Sequence, residues 1–122
     1  MNLGSLATQR FDAVILDLDN TLVDSQQALL TAFGTWAREY AIPADQLIER
    51  TGWRTRDIVD ATIDEPRRAA ATARIDELEL TTTDGITAVP GAADALTALH
   101  EVAAVATSSR RPVALARLTE AG

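Results

Sequence analysis

The chain has 122 residues, 47% hydrophobic and 24% charged, a balance that suits one compact domain burying roughly two-thirds of its unfolded surface. Its net charge of −7 argues against a general nucleic-acid-binding role, because a phosphate backbone selects basic surfaces. The absence of cysteine excludes a disulfide framework and a thiolate metal site, and suits a cytoplasmic protein.

The first ten residues lack the cationic start and long apolar core of a signal peptide. No apolar run approaches the roughly 20 residues of a membrane span. The first structured signal is Ala13-Val14-Ile15-Leu16, short, partly β-branched and bounded by polar residues. Such a run reads as a strand of a parallel sheet, buried on both faces. It ends in Asp17 and Asp19, with Thr21 two residues on. Ligands of open parallel sheets bind beyond the carboxyl ends of the strands, and side chains at i and i+2 share a face. Two carboxylates about 4 Å apart repel by roughly 4 kcal/mol at an effective dielectric near 20. A shared proton or a bound cation would offset that repulsion, and oxygen ligands favour Mg²⁺.

Asp24 and Ser25 are helix N-cap types. Behind them Leu29, Ala32, Phe33, Trp36, Ala37 and Tyr40 recur at helical spacing, predicting a helix from about Gln26 to Tyr40 that Pro43 ends. Asp45 caps a shorter helix through Ile48, and Gly52 breaks the pattern. Arg56 to Thr62 is helical again, with Ile58, Val59 and Ile63 on its apolar side. Pro66 fits the first turn of a further helix carrying Ala69, Ala70, Ala73, Ile75 and Leu78. The cluster Thr81 to Gly85 closes it. Four helices with no convincing strand thus lie between two sheet-like segments.

Pro90 and Gly91 open a helix bearing Ala92, Leu96 and Leu99, followed by a second buried strand, Val102 to Ala106. Pro112 begins a last helix with Val113, Leu115 or Ala116, and Leu118, and Gly122 stands where a C′ glycine would. Parallel strands joined by a helical crossover end on the same edge of their sheet. Thr107 should therefore approach Asp17 and Asp19. Its hydroxyl, with the backbone N–H groups of Ser108 and Ser109, makes an anion site. His100 reads as a surface residue at a helix end, Trp36 and Trp53 as packing, and Arg67-Arg68 and Arg110-Arg111 as solvated helix ends.

The segment Asp17-Leu18-Asp19-Asn20-Thr21-Leu22 resembles the first motif of the haloacid-dehalogenase-like superfamily of phosphatases. Thr107, ending a hydrophobic strand, is similar to the second motif. Thr83 to Ala92 and Thr51 to Arg54 resemble the family's sugar-phosphate phosphatases. The resemblance implies an α/β fold, the N-terminal part of a Rossmann-like parallel sheet with an inserted all-helical cap. Residues 1–24 would be core, 25–83 cap and 84–122 core, with the remainder of the core absent. It implies Asp17 as nucleophile and Asp19 as general acid/base. Asn20, where the family often has Gly, tolerates unusual backbone angles. Thr107, Ser108 and Asn20 would serve the phosphate, and the cap residue Arg54, with Arg56 second, would meet the substrate. Mg²⁺ would bind Asp17 and the backbone carbonyl of Asp19.

By the same resemblance, dehalogenases and phosphonatases lack the second Asp, so Asp19 favours phosphoryl chemistry. The expected activity is Mg²⁺-dependent hydrolysis of a small sugar or polyol phosphate through an aspartyl-phosphate. The family's third-motif Lys is missing, since all 11 cations are Arg, and its fourth-motif acids would lie beyond residue 122. The chain alone is thus expected to be incomplete and inactive. The alternatives are a sugar phosphomutase, or a non-catalytic fragment that self-associates or binds a missing C-terminal segment or another partner. Neither nucleic acid nor membrane is an expected partner.

Overall fold

The computed structural model describes residues 3–122. In chain order the elements are α1 (Leu3–Leu6), β1 (Val14–Leu16), β2 (Val23–Asp24), α2 (Gln26–Glu39), α3 (Ala44–Ile48), α4 (Thr55–Thr62), α5 (Glu65–Thr81), β3 (Thr87–Ala88), α6 (Ala92–Leu99), β4 (Ala103–Val105) and α7 (Arg111–Ala121). The order is that of a mixed α/β protein built on a parallel pair.

β1 and β4 pair in parallel, with Val14 opposite Ala103 and Leu16 opposite Val105. The ladder continues past the strand ends, where the Ala106 N–H donates to the Leu16 carbonyl at 2.9 Å. Both apolar runs therefore stop on one edge, with Asp17 and Thr107 beyond it. The expectation of strands buried on both faces is corrected. Ile15 is 72% exposed, and Val102 and Val105 also face solvent. Among the described residues this sheet has two strands, and only the side carrying Val14 and Leu16 is partly covered.

Two short strands went unread in the sequence. β2 pairs antiparallel with β3, Val23 opposite Ala88 and Asp24 opposite Thr87. They lie where the chain leaves for the helices and where it returns. Leu18 anchors the turn before β2: its carbonyl accepts from the N–H groups of Thr21, Leu22 and Val23, and its side chain is fully buried. Around Leu18, a lower apolar cluster gathers Leu22, Val23, Ala28, Ile86, Ala92 and Ala114.

Between β2 and β3, helices α2, α4 and α5, with Ile63 just past α4, form their own cluster of Ala32, Trp36, Ile58, Val59, Ile63, Ala71, Ile75 and Leu78, against which Leu47 of α3 packs partly buried. Trp36 is completely buried and donates its indole N–H to the Ala71 carbonyl at 3.0 Å. Phe33 packs edge-on against it, with ring centroids 6.0 Å apart. The buried stripe of α5 is Ala71, Ile75, Leu78 and Glu79, whereas Ala69, Ala70 and Ala73 are exposed. Alanine is too common in this segment to fix the phase; the larger Ile75 and Leu78 set it. A similar rotation applies to α7, which buries Val113, Ala114 and Arg117 while Leu115 is half exposed. Among the described residues, no helix is long and apolar enough to cross a membrane.

Candidate active site

The loop after β1 turns sharply because Asn20 takes φ = +60°, a left-handed conformation that its short polar side chain tolerates. The Asn20 N–H donates to the Val23 carbonyl at 2.7 Å, which closes the turn. As a result Asp17 and Asp19 have separate surroundings. Asp17 is exposed, and the Thr21 hydroxyl donates to its Oδ2 at 3.1 Å. Asp19 is half-buried and receives three donors. Ser25 Oγ donates to Oδ1 at 2.7 Å, Arg117 Nη1 to Oδ1 at 2.9 Å, and Ser109 Oγ to Oδ2 at 2.8 Å.

Ser25 therefore does not cap α2 with its hydroxyl, as its position had suggested; that hydroxyl is spent on Asp19. The second strand brings Thr107 and Ser109 to the same edge as the acids. The Ser109 N–H donates to Thr107 Oγ1 at 3.1 Å, so it is already engaged and not free for an anion. The Thr107 hydroxyl proton remains to be donated elsewhere. Ser108 is exposed beside them. α7 starts only at Arg111, four residues past Thr107, so its N-terminus does not follow the strand directly.

Sequence reasoning offered a proton or a metal cation as the charge beside the acids. Next to Asp19 the structure supplies a third solution, Arg117. Its side chain is 3% exposed, and its Nη1 also donates to Ser109 Oγ at 3.0 Å, while Nη2 reaches Glu79 Oε1 at 3.4 Å. Thr55 Oγ1 donates to the other Glu79 oxygen at 3.3 Å. Burial pushes the Glu79 carboxyl above its ordinary pKa, with Arg117 and Thr55 pulling the other way. Glu79 comes from α5, Arg117 from α7 and Asp19 from the β1 loop, so one polar chain joins the helical layer to the strand edge. Neither Arg117 nor Glu79 was picked out from the sequence; the signal that could have found them is a charge within an otherwise apolar stripe, which implies a buried partner.

A cleft of about 530 Å³ lies between α4, α5 and the β4–α7 loop, with Arg54, Arg56, Glu79, Ser108, Ser109 and Arg110 among its lining residues. Arg54 is on its rim, 70% exposed and held by Asp57 at 2.8 Å; Arg110 pairs with Asp76 at 3.0 Å. Arg56 is exposed and has no ion pair among the described residues. Asn20 lines a separate recess of about 390 Å³ with Asp24, Gln26 and Pro90. Asp17 lines neither hollow and lies open to solvent on the strand edge. The other residues singled out fall mostly as expected. His100 ends α6 on the surface and Trp36 is core, but Trp53 is half exposed under the Arg50 guanidinium, 5.5 Å from its ring centroid.

A Mg²⁺ ion takes oxygen ligands, keeps several waters and uses one or two carboxylates plus substrate phosphate. The donors here fit that modest demand. Asp17 has an oxygen not engaged by Thr21, whereas the Asp19 carboxylate is taken by Ser25, Ser109 and Arg117. Any part of Asp19 in a metal site therefore falls to its backbone carbonyl. Among the described residues, no group of three or more acids, His or Cys converges on one point.

The model of haloacid dehalogenase-like hydrolases matches residues 14–122, from the first residue of β1 onward. The chain is 35% identical, over 121 residues, to hexitol phosphatase A of Escherichia coli (strain K12), covering 93% of this chain and 56% of that protein. A hydrolase from Pseudomonas syringae has the same fold, with a TM-score of 0.73 at 22% identity over 88% of this chain and 53% of the other. A HAD family hydrolase from Deinococcus radiodurans R1, solved with bound phosphate and sodium, matches at a TM-score of 0.52 and 27% identity, over 92% and 53% respectively. The chain thus spans a little over half the length of these relatives. With the two acids after β1, the hydroxyls after its parallel neighbour and a matching family model over nearly its whole length, the chain belongs to the haloacid dehalogenase-like hydrolases.

Proposed function

We propose that this protein is a Mg²⁺-dependent phosphatase of small sugar or polyol phosphates, with residues 25–83 as a cap over a core of residues 1–24 and 84–122. The observation that carries the reading is the joining of the two strand ends, where Ser109 Oγ donates to Asp19 Oδ2 at 2.8 Å. That bond ties the residues after β4 to the acids after β1, and the similarity to hexitol phosphatase A points to the substrate class.

In this mechanism Asp17, exposed and held by Thr21, attacks phosphorus and forms an aspartyl-phosphate. Asp19 gives a proton to the departing alcohol and then takes one from the attacking water. The Thr107 hydroxyl donates to a phosphoryl oxygen, with Ser108 beside it. Arg54 and Arg56, on the cleft wall, meet the rest of the substrate. Mg²⁺, held by Asp17 and the Asp19 carbonyl, would screen the negative charge of nucleophile and phosphate. Closed over a bound substrate, the helical layer would exclude bulk water and large substrates from the Asp17 edge, which is open without one.

The test is Mg²⁺-dependent phosphate release from a hexitol phosphate by the purified full gene product. Asp17→Asn is expected to abolish turnover. Full activity in that variant rejects Asp17 as nucleophile. Intramolecular transfer of phosphate in place of release would make the protein a phosphomutase. Tight substrate binding without either reaction would assign a non-catalytic role.

A further inference from the structure

We infer that Arg117 is a positioning residue that fixes the Asp19 carboxylate and links it to the helical layer through Glu79, an inference that rests on the phosphatase reading. Arg117 lies 98 positions from Asp19 along the chain, yet its Nη1 bonds both Asp19 Oδ1 and the Ser109 hydroxyl that itself donates to Asp19. The three groups close a ring of hydrogen bonds. In that ring the carboxylate has one orientation, with Oδ2 turned to Ser109, a residue of the cleft lining. The other end of the guanidinium reaches Glu79, which lines the same cleft from α5. Asp19 itself stands behind Ser109 and does not line the cleft, so an alcohol leaving at the strand edge beside Ser109 would be met by an acid whose direction is set by Arg117.

Stability alone gives little reason for an arginine here. Position 117 lies on the stripe with Val113 and Ala114 that faces the core. A buried ion pair is often no better than apolar residues of similar volume, because desolvation offsets the attraction. Arg117 Nε, moreover, is buried with no hydrogen-bond partner. What an apolar residue cannot do is hold two carboxylates from different elements at once. Lysine, a single point charge, can serve one of them but cannot span the fork.

The test compares two esters on the full gene product. An alkyl phosphate such as a hexitol phosphate needs a proton on its leaving oxygen, whereas p-nitrophenolate departs without one. Arg117→Met is expected to lower the ratio of alkyl to aryl kcat/KM, which reports the step in which the leaving oxygen departs and not the later hydrolysis common to both esters, by about 10- to 100-fold, part of the roughly 10²–10⁴-fold that general acid–base catalysis contributes. Arg117→Lys should recover part of that ratio. A role confined to folding would lower both rates together, and an unchanged ratio overturns the inference. A double-mutant cycle of Arg117→Met with Asp19→Asn, read by urea unfolding, gives the second measurement. Independent, additive effects also overturn it, because contacting partners must couple. If the wild-type protein hydrolyses neither ester, the phosphatase reading fails on its own, and the cycle still decides whether Arg117 holds Asp19.

Discussion

Asn20 shows how a single residue fixes the site. At φ = +60° a side chain with a branched β-carbon crowds the backbone, by roughly 1–2 kcal/mol for a left-handed conformation. Asn20→Gly is therefore expected to fold as well as the wild type, whereas Asn20→Val should lose about 1–2 kcal/mol in urea unfolding. It should also lose activity, since the turn aims Asp19. An equal stability for the two variants would show that the turn relaxes freely. At this scale the placement of the acids and Thr107 at neighbouring strand ends was legible because each follows a short apolar run, whereas Asn20 was picked out by the family resemblance. Ser25, Ser109's bond to Asp19 and the Arg117–Glu79 pair were not. Their partners lie far away in sequence, and the only local trace was a charge interrupting an apolar stripe.

At the scale of elements, the helical layer is held by α2 against α5. Trp36→Phe should cost about 1–2 kcal/mol: a net hydrogen bond to the Ala71 carbonyl is worth about 1 kcal/mol, and the smaller ring leaves a void. Arg74 clasps the same two helices from outside, with Nη2 and Nε donating to the two Glu39 oxygens at 2.7 and 2.8 Å. That hydrogen-bonded guanidinium holds the Glu39 carboxyl below its ordinary pKa. A depressed carboxylate adds stability above its unfolded value and loses it as pH falls through the folded value. The Tm gap between wild type and Arg74→Ala is thus expected to be small at neutral pH, and to close in acid and in high salt. A gap that widens in acid would show that Glu39 is not the partner that matters. Of the four helices, α2 and α4 were legible from their apolar spacing, and α3 and α5 from the polar, Pro and Gly residues that bound them. The phase of α5 was not, because alanines on several faces give no direction. The two-residue strands β2 and β3 are too short to carry a period at all.

For the whole molecule, the parallel pair leaves one of its faces open. Parallel strands are ordinarily covered on both faces, and the apolar runs of β1 and β4 read that way, yet Ile15 is 72% exposed. The sequence was sound about the strands and silent about their cover, because an apolar run records what a strand requires and not what meets it. Ile15 is therefore a gauge of that cover. In the 122-residue chain by itself, Ile15→Ala should change stability by no more than about 0.5 kcal/mol, as at other exposed positions. In an assembly or a longer product that packs against this face, the same substitution would empty part of a core and cost about 2–5 kcal/mol. Urea unfolding of the variant in both settings, with sedimentation to report self-association, separates the two. A large cost in the isolated monomer would mean that Ile15 is already packed, and that β1 lies inside a closed core rather than on an open sheet.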